Sequence, residues 1–300
     1  MGEQVGFIGL GTMGMPMATN LAKGQGGLVV CDTSREATAD LATRAAGVQV
    51  VESPAEVARR SGVLFSCLPN DHIVREVYLG DRGVAQGVHE GLLTCDMSTV
   101  SAEVTREINT VLATRGVPHM EATMFGSQPQ AIEGTVFFAV GGDERQVERI
   151  GVYLQYMGKY TYAGPTGTAN LVKVIHQGLL AMTSVVVAEA LAMCVRTGVD
   201  PATFYNVVRQ CGGMGYGTYF ERRAERIFAG NFAPTFKLEL MRKDSGMAAA
   251  LAEQAGVPAP MMREAKRTFD EALEAGLGPQ DFSAVSRVIE QRIGTKLWGA

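Results

Sequence analysis

The first half of the chain alternates short apolar runs with longer segments of helical period. Residues 5–10, 28–31, 62–67 and 92–95 are brief, rich in Val, Ile and Leu, and bounded by Gly, Asp or Pro. Such runs read as fully buried strands. Between them, residues 15–23, 35–46 and 102–115 have the apolar spacing of amphipathic helices. Strands alternating with helices predict a parallel sheet covered on both faces, which residues 117–120, 136–140 and 160–162 would extend. Beyond Gly164-Pro165 the strand-like runs nearly vanish, and Ala, Leu, Met, Glu and Arg dominate. Residues 168–197 read as one long helix, followed by helices at 201–209, 220–228, 237–255, 260–275 and 282–293. Asp200-Pro201 supplies an N-cap with proline in the first turn, and Gly198 stops the preceding helix. The expectation is an α/β domain, residues 1–163, followed by an all-α domain, residues 164–300, beginning with the long helix.

Composition narrows this picture. The length of 300 residues suits two cores better than one. With 46% hydrophobic and 19% charged residues the chain is no disordered segment. A formal charge of −4 gives no electrostatic reason to expect nucleic acid. One basic cluster, Arg222, Arg223 and Arg226, lies beside Glu221 and Glu225 and reads as a solvated helix face. The five cysteines contain no C-x-x-C and suit a reduced, cytoplasmic setting. A first strand at about residue 5 leaves no room for a targeting segment. The apolar stretch 178–195 is interrupted by Glu189 and flanked by Lys173 and His176, so it reads as a buried helix and not a membrane span. The four histidines lack metal-ligand spacing, and no metal site is expected.

The candidate chemistry begins at Gly9-Leu10-Gly11-Thr12-Met13-Gly14, between the first strand and the first helix. In a dinucleotide site the first glycine permits the tight turn, the second lets backbone approach the pyrophosphate, and the third allows close helix–strand packing. The helix N-terminus then offers N–H groups and positive dipole to the phosphates. The second strand ends at Asp32, eighteen residues beyond Gly14, where a carboxylate accepts from ribose hydroxyls. Asp32 favours NAD over NADP, although Arg35 is placed to meet a 2′-phosphate. A second glycine cluster, residues 212–217, follows helical sequence and reads as a connection, with a place beside the substrate as the alternative.

These residues resemble the β-hydroxyacid dehydrogenase family, whose members are of the 3-hydroxyisobutyrate dehydrogenase and tartronate semialdehyde reductase kind. The likeness runs through residues 6–21, Cys67-Leu68-Pro69-Asn70, residues 96–101, Lys243-Asp244 and residues 281–285. It implies a Rossmann-type first domain with Leu68, Pro69, Asn70 and Thr99 along the cofactor, and Lys243 near the nicotinamide. It implies a substrate contact from Ser98, and a catalytic acid/base in Lys173, which follows Gly164-Pro165-Thr166-Gly167. Helical spacing places His176 and Gln177 on the face of Lys173. The resemblance also implies a small carboxylic-acid substrate and a homodimer or homotetramer.

Two departures stand out. His176 and Gln177 replace the two asparagines common in the family, and His176 reads equally as a packing residue or a substrate ligand. In residues 121–128, Phe125 and Ser127 stand where relatives carry the serine and second glycine that hold the substrate carboxylate. Backbone N–H groups around Gly126 remain able to bind an anion. Ser127 offers a displaced hydroxyl, and Phe125 suits a larger or more apolar substrate. The expected activity is NAD(P)-dependent hydride transfer on a β-hydroxyacid or semialdehyde. An imine reductase or a non-catalytic dinucleotide-binding protein are the alternatives.

Overall fold

The computed structural model describes residues 3–213 and 215–297. The chain divides into two compact units, the first running to Lys173 and the second starting at Val174. The division therefore falls inside the long helix, ten residues past the boundary expected at 163.

The first unit contains strands β1 (Val5–Ile8), β2 (Leu28–Cys31), β3 (Val48–Val50), β4 (Val63–Ser66), β5 (Leu93–Asp96), β6 (His119–Phe125), β7 (Val136–Gly141) and β8 (Gly158–Gly164). Its helices are α1 (Gly14–Gln25), α2 (Arg35–Arg44), α3 (Pro54–Arg60), α4 (Asp71–Leu79), α5 (Ala102–Ala113), α6 (Gln128–Glu133) and α7 (Val147–Leu154). The eight strands form one sheet in the order β3-β2-β1-β4-β5-β6-β7-β8. Alternate residues feed two cores. Val5, Phe7, Leu28, Val30, Val63 and Phe65 enter one with α1, while Ile8, Val29, Cys31 and Leu64 enter the other with α3 and α4. This doubly covered sheet is the predicted Rossmann-type arrangement. After β3 the chain crosses to the other side of β1, and the crevice beyond β1 and β4 is where such sheets take ligands. All pairings are parallel except β6–β7, which is antiparallel. Short α6 makes this reversal without crossing the sheet, a connection that apolar period alone does not reveal.

The helix α8 (Thr168–Thr197) has the predicted bounds and runs through the division. By length and composition it could cross a membrane, but half of its most apolar stretch is buried. The second unit continues with α9 (Pro201–Cys211), α10 (Thr218–Phe228), α11 (Leu238–Gln254), α12 (Pro260–Glu274) and α13 (Ser286–Ile293). Its core gathers Ala181, Leu191, Ile227, Met241, Phe269 and Val285. Arg223 departs from the expected solvated face. Its side chain lies 3.7 Å from the buried Asp281 carboxylate, over the Phe282 ring at 4.9 Å, and donates to Thr235 Oγ1 at 3.0 Å. The second glycine cluster connects α9 to α10, and its Met214 lies outside the described residues.

Candidate active site

The turn after β1 explains its glycines by distance. Gly9 has φ +93°, and a Cβ there would sit 2.3 Å from the Cys67 carbonyl oxygen. At Gly14 a Cβ would sit 2.0 Å from the Gly9 carbonyl oxygen, so helix and turn touch through backbone. At Gly11 a Cβ would meet nothing within 4 Å. Close packing fixes the outer two glycines, and the middle one faces open space where a phosphate can approach. No side chain caps the N-terminus of α1, so its dipole is available to an anion. Leu10 is buried, Met13 packs against the core, and Thr12 is exposed on the turn. Asp32 accepts from the Leu10 N–H at 2.6 Å through Oδ2 and from the Ser34 N–H at 2.7 Å through Oδ1. The carboxylate is thereby fixed beside the glycine turn, and the cradle fits a dinucleotide. Arg35 is exposed at the start of α2.

The loop after β4 closes against this turn. Leu68 Cδ2 lies 3.1 Å from the Cβ position of Gly9, and the Leu68 N–H donates to Ser98 Oγ at 2.8 Å. Asn70 caps α4, its Oδ1 accepting from the Ile73 N–H at 3.0 Å, and Pro69 joins the two. Ser98, expected at the substrate, is 1% exposed. Its hydroxyl donates to Asp96 Oδ1 at 2.6 Å while accepting from Leu68, so it pins the loop to β5. Burial pushes the Asp96 carboxyl up to about 6 against the hydrogen bonds from Ser66 and Ser98. Thr99 follows on the same loop, half-buried.

Lys173 lies on the second turn of α8, only 7% exposed, with its ammonium 4.9 Å from the centre of the Phe125 ring. A ring face attracts such a cation, so the aromatic that replaces the family's serine lies against the lysine. Gly126, φ +155°, leads from β6 into the turn. Ser127 gives both its N–H (2.9 Å) and its hydroxyl (2.7 Å) to Gln130 Oε1, so the hydroxyl is engaged in its own turn. The motif reading missed the group beneath Lys173. Glu121 Oε1 accepts from the N–H groups of Gly167 at 2.8 Å and Ala169 at 3.0 Å, while Oε2 accepts from the Asn170 amide. Asn170 precedes Lys173 by one helical turn, but its partner lies 49 residues away in sequence.

In the second unit, His176 is exposed, with Nδ1 3.3 Å from Gln177 Oε1. Gln177 is 4% exposed and donates to Asp244 Oδ2 at 2.6 Å. The Lys243 ammonium lies 3.3 Å from Asp244 Oδ1. Asp244, adjacent to Lys243 in the sequence motif, is thus the acceptor that orients the Gln177 amide.

A family model for the NAD binding domain of 6-phosphogluconate dehydrogenase matches residues 4–172. A second, for the NAD-binding of NADP-dependent 3-hydroxyisobutyrate dehydrogenase, matches residues 167–289. The 2-(hydroxymethyl)glutarate dehydrogenase of Eubacterium barkeri is 36% identical over 298 residues, covering 99% of this chain and 98% of that one. The chain belongs to the β-hydroxyacid dehydrogenase family. It is accordingly an NAD(P)-dependent oxidoreductase acting on CH–OH groups. A solved 3-hydroxyisobutyrate dehydrogenase of Mycobacterium tuberculosis, described with L-serine, superposes with a TM-score of 0.88 at 27% identity, covering 96% of this chain and 99% of that one. An imine reductase variant from Myxococcus stipitatus reaches a TM-score of 0.65 at 16% identity, covering 96% of this chain and 100% of that one, and shares the fold alone. Membership of the β-hydroxyacid dehydrogenase family thus favours the alcohol reading over the imine reading.

Proposed function

We propose that the chain interconverts a small β-hydroxyacid and its semialdehyde, with Lys173 as the general acid/base and NAD as the preferred cofactor. The supporting observation is the lysine itself: an ammonium carried on α8, nearly buried, and held over an aromatic ring. The bound nicotinamide supplies or accepts the hydride. In the reductive direction the carbonyl oxygen gains negative charge, and the Lys173 ammonium gives it a proton; in the oxidative direction the neutral amine takes the alcohol proton.

Asp32 supports NAD, because its fixed carboxylate would repel a 2′-phosphate. The frame shared by 2-(hydroxymethyl)glutarate and 3-hydroxyisobutyrate, named for the relatives, is a primary alcohol β to a carboxylate with a variable substituent between them. We assign this chain a substrate of that frame. Its carboxylate meets backbone N–H groups near Gly126, and its apolar side meets Phe125. His176, Gln177 and Lys243 complete the assignment, the first two toward the substrate and Lys243 toward the nicotinamide. The enzyme works as a cytoplasmic homo-oligomer.

Lys173→Ala tests the reading. Turnover is expected to fall at least 100-fold, the scale of general acid–base catalysis, with nucleotide affinity kept within a few-fold by fluorescence titration. Near-wild-type turnover in that variant would remove Lys173 from the chemistry.

A further inference from the structure

We propose that Glu121 is a positioning residue for the reaction, anchoring the first turn of α8 to β6 and so fixing the Lys173 ammonium over Phe125. The proposal rests on the reading of Lys173 as acid/base. Residues 121, 123 and 125 share one face of β6, as alternate residues of a strand do. Each meets α8 at a successive level. Glu121 takes the Gly167 and Ala169 N–H groups and the Asn170 amide, Thr123 Oγ1 donates to the Ala169 carbonyl at 3.1 Å, and the Phe125 ring lies under Lys173. Asn170 also donates to Thr105 Oγ1 at 2.6 Å, which ties the same turn to α5.

The chemistry suits an anchor. The first N–H groups of a helix have no partner within it, and a carboxylate there also meets the positive end of the dipole. Glu121 is 1% exposed, and burying a charge is a poor route to stability compared with apolar packing. What the carboxylate adds is direction, because it accepts from one helical turn at three points. Lys173 lies one turn further along the same rigid element.

The test compares Glu121→Ala, Glu121→Asp and Glu121→Gln with Lys173→Ala. A misplacement of about 1 Å costs on the order of 100-fold in rate, so Glu121→Ala is expected to lower kcat by about 10- to 100-fold, with KM for substrate and nucleotide within about 3-fold. Glu121→Asp, which keeps the charge but falls short of the helix, is expected to show the same split more weakly and carries the test if the alanine variant does not fold. Glu121→Gln is expected to recover most of kcat. Its carbonyl still accepts both N–H groups, and its amide can donate to Asn170 Oδ1, a buried atom with no hydrogen-bond partner, once the Asn170 amide turns over. Hydrogen exchange in the nucleotide-free protein gives a second readout, with the Gly167 and Ala169 amides losing protection in the alanine and aspartate variants. Wild-type kcat in folded Glu121→Ala, or in Glu121→Asp where the alanine variant does not fold, would overturn the inference while an inactive Lys173→Ala leaves the acid/base reading standing. An active Lys173→Ala would overturn that reading and the inference with it.

Discussion

The Glu121 carboxyl is pushed up to about 7, because burial outweighs the hydrogen bonds from Ala169, Gly167 and Asn170 that favour its charge. The direction fixes its effect on stability. The folded protein holds this proton more tightly than the unfolded chain, whose ordinary value is 4.5. The contribution is therefore full below about 4.5 and is lost as pH rises through about 7. It amounts to about 3.5 kcal/mol at most, at roughly 1.4 kcal/mol for each unit. Glu121→Gln removes this titration. Urea melts across this pH range should show the variant gaining on the wild type as pH rises, and a constant difference would contradict the direction. His119 works the opposite way. Burial brings its imidazole down to about 3, so its contribution is present above 6.5 and is lost on acidification.

At the scale of elements, a carboxylate organises the second unit as well. Asp281 is fully buried, yet its carboxyl lies below its ordinary value. Burial raises it, but Arg223 and the hydrogen bonds from Ser283 and Thr235 prevail. It joins the loop before α11 to the turn before α13 and leaves Arg223 of α10 beside it. Asp281→Ala strands that cation and several donors, so a loss of about 3–5 kcal/mol is expected in denaturant unfolding. A loss under 1 kcal/mol would mean that water replaces it freely. None of these partnerships was legible in the sequence, because they join residues scattered from 223 to 283. The elements themselves were more readable where an apolar run met clear punctuation. The helix α8, between Gly167 and Gly198, has its predicted bounds. The strand β3, only Val-Gln-Val with two of the three residues exposed, was too short to stand out as a strand, and polar, six-residue α6 left no apolar run at all. The glycine turn was legible because its three glycines lie within six residues, between an apolar strand and the helix that follows. The internal acceptors of Ser98 and Ser127 were not legible, because motif position does not reveal which hydroxyl already has a partner.

For the whole molecule, the question is what meets the outer side of α8. Ile175, Leu179, Val186 and Met193 are all exposed, and the last three recur every seven residues. Leu191, by contrast, belongs to the core, and Met182 and Phe204 pack against it. An apolar stripe in water favours association, which supports the proposed homo-oligomer. Sedimentation is expected to give a multiple of the 32.0 kDa chain mass. Val186→Glu is expected to shift the population toward that single-chain mass, while a monomeric wild type would contradict the assignment.

The antiparallel pairing of β6 and β7 sets Gly141 directly opposite Glu121. A Cβ at position 141 would lie 2.1 Å from Glu121 Oε1, although the backbone there is not left-handed and alanine suits its conformation. One methyl group would therefore evict the acid from its seat. Gly141→Ala is expected to slow turnover as Glu121→Ala does, and full activity would show that the acid has room to yield. While a long acid occupies one strand, any side chain added at the facing position has to push it aside.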